Sequence, residues 1–273
     1  MPYKIVFSDI DGTLLNIDRE LSPGTIKAVK RLKDKVPFIL ISARMPAALR
    51  HLQKHLEIEH LPIICYNGAL IIADNKIIQS TVIPLDILQG LAEYNRKFDC
   101  HLSLYHNDEW YVPQVDEWAE IEINNTKIVP EIKSNSLVIE KWKAEGKGAH
   151  KIMAMGDPAT IDQLNGFLHQ TYKGQLHLYR SKDTYLEIAS KEISKFSAIE
   201  FLLKEHFDIG VDQAIAFGDN YNDVEMLKNI GYGVAVQNSR PEAREAANLV
   251  AGESIEDGVA HILNEIFPDE RLK

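Results

Sequence analysis

Apolar runs of strand length alternate with segments of helical period at both ends of this chain, and that alternation constrains the fold more than any other feature. Residues 4–8 read as a buried strand, 22–33 as a helix capped at Ser22 with Pro23 in its first turn, and 37–41 ("PFILI") as a second strand. Residues 46–56 then read as a helix, 63–65 as a short strand, and "NGALI" from Asn67 as a turn into extended chain. Strand, helix, strand, helix, strand calls for right-handed crossovers and a parallel sheet covered on both faces. The same grammar returns near the other end, with a helix over 194–205, a strand over 214–217 ("AIAF"), a helix over 223–228 and a strand over 233–236 ("GVAV"). The two ends are expected to form one α/β domain.

Between them the texture changes. Trp110 and Tyr111 fall in a predicted hairpin ("HLSLYHNDEWYVP"), followed by "KIMAMG", a helical stretch over 160–172, "LHLYRS" and "TYLEIAS". A β-α-β-β order of this kind predicts a smaller α+β unit inserted into the host. The expected division is a discontinuous core, 1–82 and 191–273, with the insertion over 83–190.

Thirty basic against forty acidic residues leave a formal charge of -10, which argues against a nucleic-acid partner. An anionic substrate is still possible, provided that a metal ion or a local cation reverses the field at its site. The two cysteines, Cys65 and Cys100, lack metal-ligand spacing and read as buried thiols. No leader-like apolar stretch opens the sequence and no run of eighteen apolar residues occurs, so a cytoplasmic location without a membrane partner is expected.

In a parallel α/β sheet, ligands gather at the carboxyl ends of the strands. Asp9 and Asp11 follow the first strand, Ser42 follows the second within "ISAR", and "GDNYND" after "AIAF" brings Asp219, Asn222 and Asp223. Any one of these residues is readily explained as a helix cap or turn residue. Four carboxylates at one sheet edge are harder to explain without a cation, and hard oxygen donors select Mg²⁺ or Ca²⁺. A calcium loop fails on spacing: counting from Asp219, the third position is Tyr221 and the sixth, where glycine is required, is Val224. Mg²⁺ commonly works with one or two carboxylates and a phosphate, which points to phosphoryl chemistry, in which a carboxylate can itself act as the nucleophile. Residues two apart in extended chain face the same way, so Asp9 and Asp11 are expected to reach one phosphorus, with Gly12 freeing the turn.

"DIDGTLL", "ISAR", Lys195 and "GDNYND" resemble, in order, the four motifs of the haloacid dehalogenase superfamily of phosphatases. "NGA" at Asn67, "GDNYNDVEML" and "GVAVQNS" are similar to its Cof-type subfamily of sugar-phosphate and related phosphatases. The resemblance implies a Rossmann-like core with an α/β cap inserted after its third strand, and Mg²⁺ as cofactor. It implies Asp9 as nucleophile and metal ligand, and Asp11 as acid and base with its backbone carbonyl on the metal. It further implies Asp219 as metal ligand, Asp223 in support of the metal shell, and Ser42, Lys195 and Asn222 on the phosphate. Ala43, Arg44 and Asn67 join the expected substrate contacts, Arg44 on the core side of the cleft.

Two departures from the subfamily pattern stand out. Ser42-Ala43-Arg44 replaces the frequent threonine-glycine-arginine and keeps the hydroxyl, while Phe196 occupies the place where glycine usually follows the lysine. The inserted unit is expected to supply specificity, with His101, His106, Trp110, Tyr111, Arg180 and Tyr185 as candidates for the leaving group. A phosphatase acting on a small phosphorylated metabolite is the leading expectation. A phosphomutase and a phosphate-ligand sensor without catalysis are the alternatives.

Overall fold

The computed structural model describes residues 3–32 and 35–268, with backbone alone at Ser181. It divides into two compact units, Met1–Ala43, Leu49–Ile78 and Ser194–Lys273 forming the first, and Arg44–Ala48 and Gln79–Ile193 the second.

Fourteen strands occur along the described chain: β1 (Ile5–Ser8), β2 (Phe38–Ile41), β3 (Ile63–Cys65), β4 (Leu70–Ala73), β5 (Lys76–Ser80), β6 (His101–His106), β7 (Glu109–Val112), β8 (Glu131–Ile132), β9 (Lys151–Met155), β10 (Leu176–Lys182), β11 (Tyr185–Ser190), β12 (Ala214–Gly218), β13 (Tyr232–Ala235) and β14 (Leu249–Val250). One sheet has the order β14-β13-β12-β1-β2-β3-β4-β5. Its six strands from β14 to β3 run parallel, and β4 turns back against β3. β1, β2, β3 and β12 are buried along their whole length, as a sheet covered on both faces requires. Ile5, Phe7, Ile39, Ile41, Ile64 and Ala216 pack on one face against Ala198, Ile199 and Leu202 of the helix Lys195–Leu202.

That helix starts at a reciprocal cap. The Ser197 amide donates to Ser194 Oγ at 3.1 Å and the Ser194 amide to Ser197 Oγ at 2.9 Å. Regular helix stops at Leu202, short of the expected end near residue 205. A wider turn, Leu203–Phe207, follows and closes at Asp208 in a left-handed conformation (φ 52°).

The second unit holds a six-stranded sheet, β10-β11-β9-β6-β7-β8, built on antiparallel pairs with β8 added parallel to β7. The predicted hairpin is present as β6 and β7, with His106 paired to Glu109. The helices Leu85–Asn95, Asn135–Glu145 and Pro158–Thr171 cover one sheet face, where Leu88, Leu91, Trp142, Leu164 and Leu168 meet Leu102, Leu104 and Ile152. Among the described residues, no helix is long and apolar enough to cross a membrane.

Candidate active site

Register fixes the site. Ser8 pairs with Phe217 on one side and Leu40 on the other, so β1, β2 and β12 end level with one another. The residues next along the chain emerge at one edge: Asp9, whose amide donates to Phe217 O at 3.0 Å, Ser42, whose amide donates to Ile64 O at 3.0 Å, and Asp219. Asp9, Asp219 and Asp223 each bring a carboxylate oxygen within 4.8 Å of the others.

Lys195 joins this group from the first turn of its helix. It is 1 % exposed, and its Nζ donates to Asp9 Oδ1 at 2.5 Å and to Asp223 Oδ1 at 2.6 Å. Asp223 is used on both oxygens, since its Oδ2 accepts the amides of Asp219 and Asn220, each at 3.0 Å. It therefore orients both the lysine and the loop that carries Asp219. Phe196 does not displace the lysine; it packs against the apolar cluster behind β1 and β2. Close approach in this region is provided instead by Gly68, at φ +106°, where a Cβ would lie 2.5 Å from Ser194 O.

Burial pushes the Asp9 carboxyl well above the ordinary carboxylate range, with Asp223 and Asp219 adding to the shift and Lys195 opposing it. Asp219 is raised to about 6, by burial first and Asp223 second, while the Thr13 hydroxyl and Lys195 pull it down. Burial on its own would discharge Lys195, but Asp223 and Asp9 outweigh it and hold the ammonium charged. Three carboxylates face one ammonium that pairs with two of them, and the donors are all hard oxygens. This set suits a Mg²⁺-sized hard cation, which would offset the surplus negative charge.

Asp11 lies in the turn that follows β1. The strand stops at Ser8, and the chain enters a turn in which the amides of Leu14 and Leu15 donate to Ile10 O at 3.0 and 3.1 Å. Asp9 continues the pairing with β12 through its amide, and the turn opens at Asp11. Ile10 is fully buried, whereas the Asp11 side chain is 40 % exposed and lies 3.2 Å from Arg19 Nη1. Gly12 makes the turn at φ +84°, so close to Asp219 that a Cβ would lie 2.5 Å from Oδ2.

The expected phosphate contacts interlock. The Asn67 amide donates to Ser42 O at 2.9 Å, and Asn222 Nδ2 donates to Asn67 Oδ1 at 2.9 Å, tying the second strand to the loop after β12. Asn67 adopts a left-handed conformation (φ 56°), which asparagine tolerates better than most residues. Ala43 belongs to the first unit, whereas Arg44, 7 % exposed, clusters with the second.

The leaving-group candidates are mostly engaged within the second unit. His101 Nδ1 lies 2.8 Å from Asp116 Oδ2, and its Nε2 is 3.0 Å from Ser103 Oγ, which also accepts Trp110 Nε1 at 3.2 Å. His106 Nδ1 donates to Gly148 O at 2.8 Å, Tyr111 Oη donates to Glu109 at 2.9 Å, Arg180 pairs with Asp162, and Tyr185 meets the Trp118 ring edge-on. Two residues missed in the sequence belong to the site. Thr13 Oγ1 donates to Asp219 Oδ1 at 2.8 Å, and Arg19 holds Asp11. The signal for Thr13 was its position beside Gly12; for Arg19 there was none, because the loop that presents it is closed by Asn16.

The model of the haloacid dehalogenase-like hydrolase family matches residues 6–263. A candidate phosphatase of Haemophilus influenzae is 36% identical, the match covering 98% of this chain and 100% of that protein. The 5-amino-6-(5-phospho-D-ribitylamino)uracil phosphatase YitU of Bacillus subtilis is 27% identical over 97% of this chain and 98% of its own. Among solved structures, a haloacid dehalogenase-like hydrolase of Bacteroides thetaiotaomicron superposes with a TM-score of 0.88 at 25% identity, covering 97% of this chain and 100% of that one.

Proposed function

This chain belongs to the haloacid dehalogenase-like hydrolases and is a phosphomonoesterase of the Cof type, and we propose that it hydrolyses a small phosphorylated metabolite through a phosphoryl group carried on Asp9. The observation that carries the reading is the ion-paired nucleophile: Asp9 is buried, and Lys195 holds its Oδ1 at 2.5 Å. The other oxygen of Asp9 attacks phosphorus as the ester P–O bond breaks. Asp11, at the rim, gives its proton to the departing alkoxide, then takes one from the water that attacks phosphorus and frees Asp9. Lys195 and the Ser42 hydroxyl hold the phosphoryl oxygens, while Asn67 and Asn222 fix the loops on either side.

Mg²⁺ would be held by Asp9, Asp219 and the Asp11 carbonyl, with Asp223 behind them, and when bound it neutralises the charge of the phosphoryl group. The relatives support a substrate class. The sugar phosphates of the Cof type and the ribitylamino compound hydrolysed by YitU share a phosphate ester on a polyhydroxylated carbon chain. Such a molecule is the proposed substrate, the second unit is its proposed specificity cap, and the cytoplasm is the proposed location.

The test is phosphate release from a panel of polyol and sugar phosphates and p-nitrophenyl phosphate, with and without EDTA. Chelation should abolish turnover, and Asp9→Asn should lower kcat about 10⁴-fold or more. Turnover indifferent to both would overturn the mechanism. Transfer of phosphate to a second sugar would identify a mutase, and binding without turnover across the panel a sensor.

A further inference from the structure

The loop after β13, residues 237–240, contributes none of the proposed catalytic residues, yet it touches both loops that do. Asn238 Nδ2 donates to Gly12 O at 2.7 Å, within the turn that carries Asp9 and Asp11. Ser239 Oγ donates to Gly218 O at 3.3 Å, and the Arg240 amide donates to Asp219 O at 2.8 Å, within the loop that carries Asp219 and Asp223. The loop is itself anchored: the Ser254 amide donates to Asn238 Oδ1 at 2.9 Å, and the Gln237 amide to Gly252 O at 3.3 Å. Both ends of the Asn238 amide are thus committed, which fixes its orientation as a donor to Gly12.

Gly12 is the point at which the turn is least restrained by its own chemistry, because glycine at φ +84° has no side chain to resist rotation of the neighbouring peptides. A peptide plane is rigid, so pinning the Gly12 carbonyl fixes the plane between Gly12 and Thr13. On one side of that plane lies Asp11, and on the other Thr13, whose hydroxyl reaches Asp219 at 2.8 Å.

We propose that Asn238 is a positioning residue for phosphoryl transfer: it holds the Gly12 carbonyl and so keeps Asp11 aligned with the Asp9–Asp219 group. The inference rests on the hydrolytic reading above. Asp11 works on the leaving group, so misplacing it penalises esters whose leaving oxygen needs a proton more than those that depart as a stable anion.

The experiment compares Asn238→Ala and Asn238→Asp with the unaltered enzyme on an alkyl phosphate and on p-nitrophenyl phosphate. Aspartate keeps the acceptor for Ser254 but sets an oxygen against the Gly12 carbonyl, and alanine removes the same donor without adding a charge. For both variants kcat on the alkyl ester should fall about two- to tenfold, with a smaller loss on the nitrophenyl ester and little change in KM or in Tm. Equal losses on both esters that track a lower Tm would assign Asn238 a merely structural role and overturn the proposal, as would unchanged kcat on both. Asp9→Asn run alongside separates the two readings. If it keeps full activity the hydrolytic mechanism itself fails, whereas an inactive Asp9→Asn with unaffected Asn238 variants refutes this inference alone.

Discussion

Replacing Lys195 with methionine tests whether the buried ammonium is structural as well as catalytic. The side chain is 1 % exposed and touches two carboxylates, Asp9 at 2.5 Å and Asp223 at 2.6 Å. Methionine fills much the same volume, so the change removes charge and hydrogen bonds with little cavity cost. Breaking a buried pair by deleting one partner costs about 3–5 kcal/mol, because the remaining charge has neither water nor counter-ion. Asp9 already sits well above the ordinary carboxylate range and can relieve part of this by taking up a proton, which favours the lower end, about 3 kcal/mol. Over a chain of this length that corresponds to a Tm lowered by roughly 6–12 °C.

Thermal unfolding without added metal is the assay, run beside Asp223→Asn and the double variant. The double variant should recover part of the loss, since position 223 then carries no uncompensated charge, with a coupling of about 1–3 kcal/mol. A Lys195→Met protein melting within about 2 °C of the unaltered one, or strictly additive losses, would refute the argument that the cluster's charges are mutually dependent.

Acid should weaken the second unit in two stages. Burial, then the neighbouring His106 charge, push His150 down to about 3 from an ordinary 6.5. Its Nδ1 accepts the Asn107 amide at 3.0 Å, which leaves the proton on Nε2 facing Ser80 Oγ at 2.9 Å. Between those values the unfolded chain binds a proton that the folded chain refuses, so stability is full above pH 6.5 and falls as pH drops toward 3, by about 1.4 kcal/mol per unit. Glu109, held down to about 2 by Lys147, Trp142, Lys141 and Tyr111 against its burial, adds a loss that begins below pH 4.5. Urea unfolding at pH 7.0 and 5.5 should show the first stage, and His150→Gln should remove it; an unchanged slope in that variant would assign the pH dependence elsewhere. Gly68→Ala should lower both Tm and kcat, because the added Cβ meets Ser194 O at 2.5 Å at a φ of +106° and pushes on the first turn bearing Lys195. An alanine variant with native Tm and kcat would show that the backbone yields there without moving the lysine.

The parallel sheet was legible because each of its strands is a short apolar run punctuated by turn residues, and that pattern alone requires burial on both faces. The helices of the inserted unit were much less so. The helix Glu117–Thr126 ("EWAEIEINNT") ends in a run of isoleucine, two asparagines and threonine, which form helix poorly, and its start is capped by Asp116 accepting the amides of Trp118 and Ala119 at 3.1 and 3.0 Å. Within the site, the residues that converge from strand ends were readable from position: Asp9, Ser42 and Asp219 each follow a strand directly, and register does the rest.

What position could not give was side-chain direction once the chain left the sheet. Asp11 lies only three residues past Ser8, but it opens a turn, and a turn has no period from which a facing can be read. Its carboxylate ends beside Arg19, eight residues on, in a loop drawn closed by Asn16 Oδ1 accepting the Asp18 and Glu20 amides at 3.0 and 2.9 Å. Asn238 escaped for the same reason: its partner, Gly12 O, is 226 positions away, and nothing in the local sequence marks an amide as the support of a distant carbonyl. Strand ends thus reveal which residues can do chemistry, while the contacts that aim them are made between loops and become visible only once the sheet has brought those loops together.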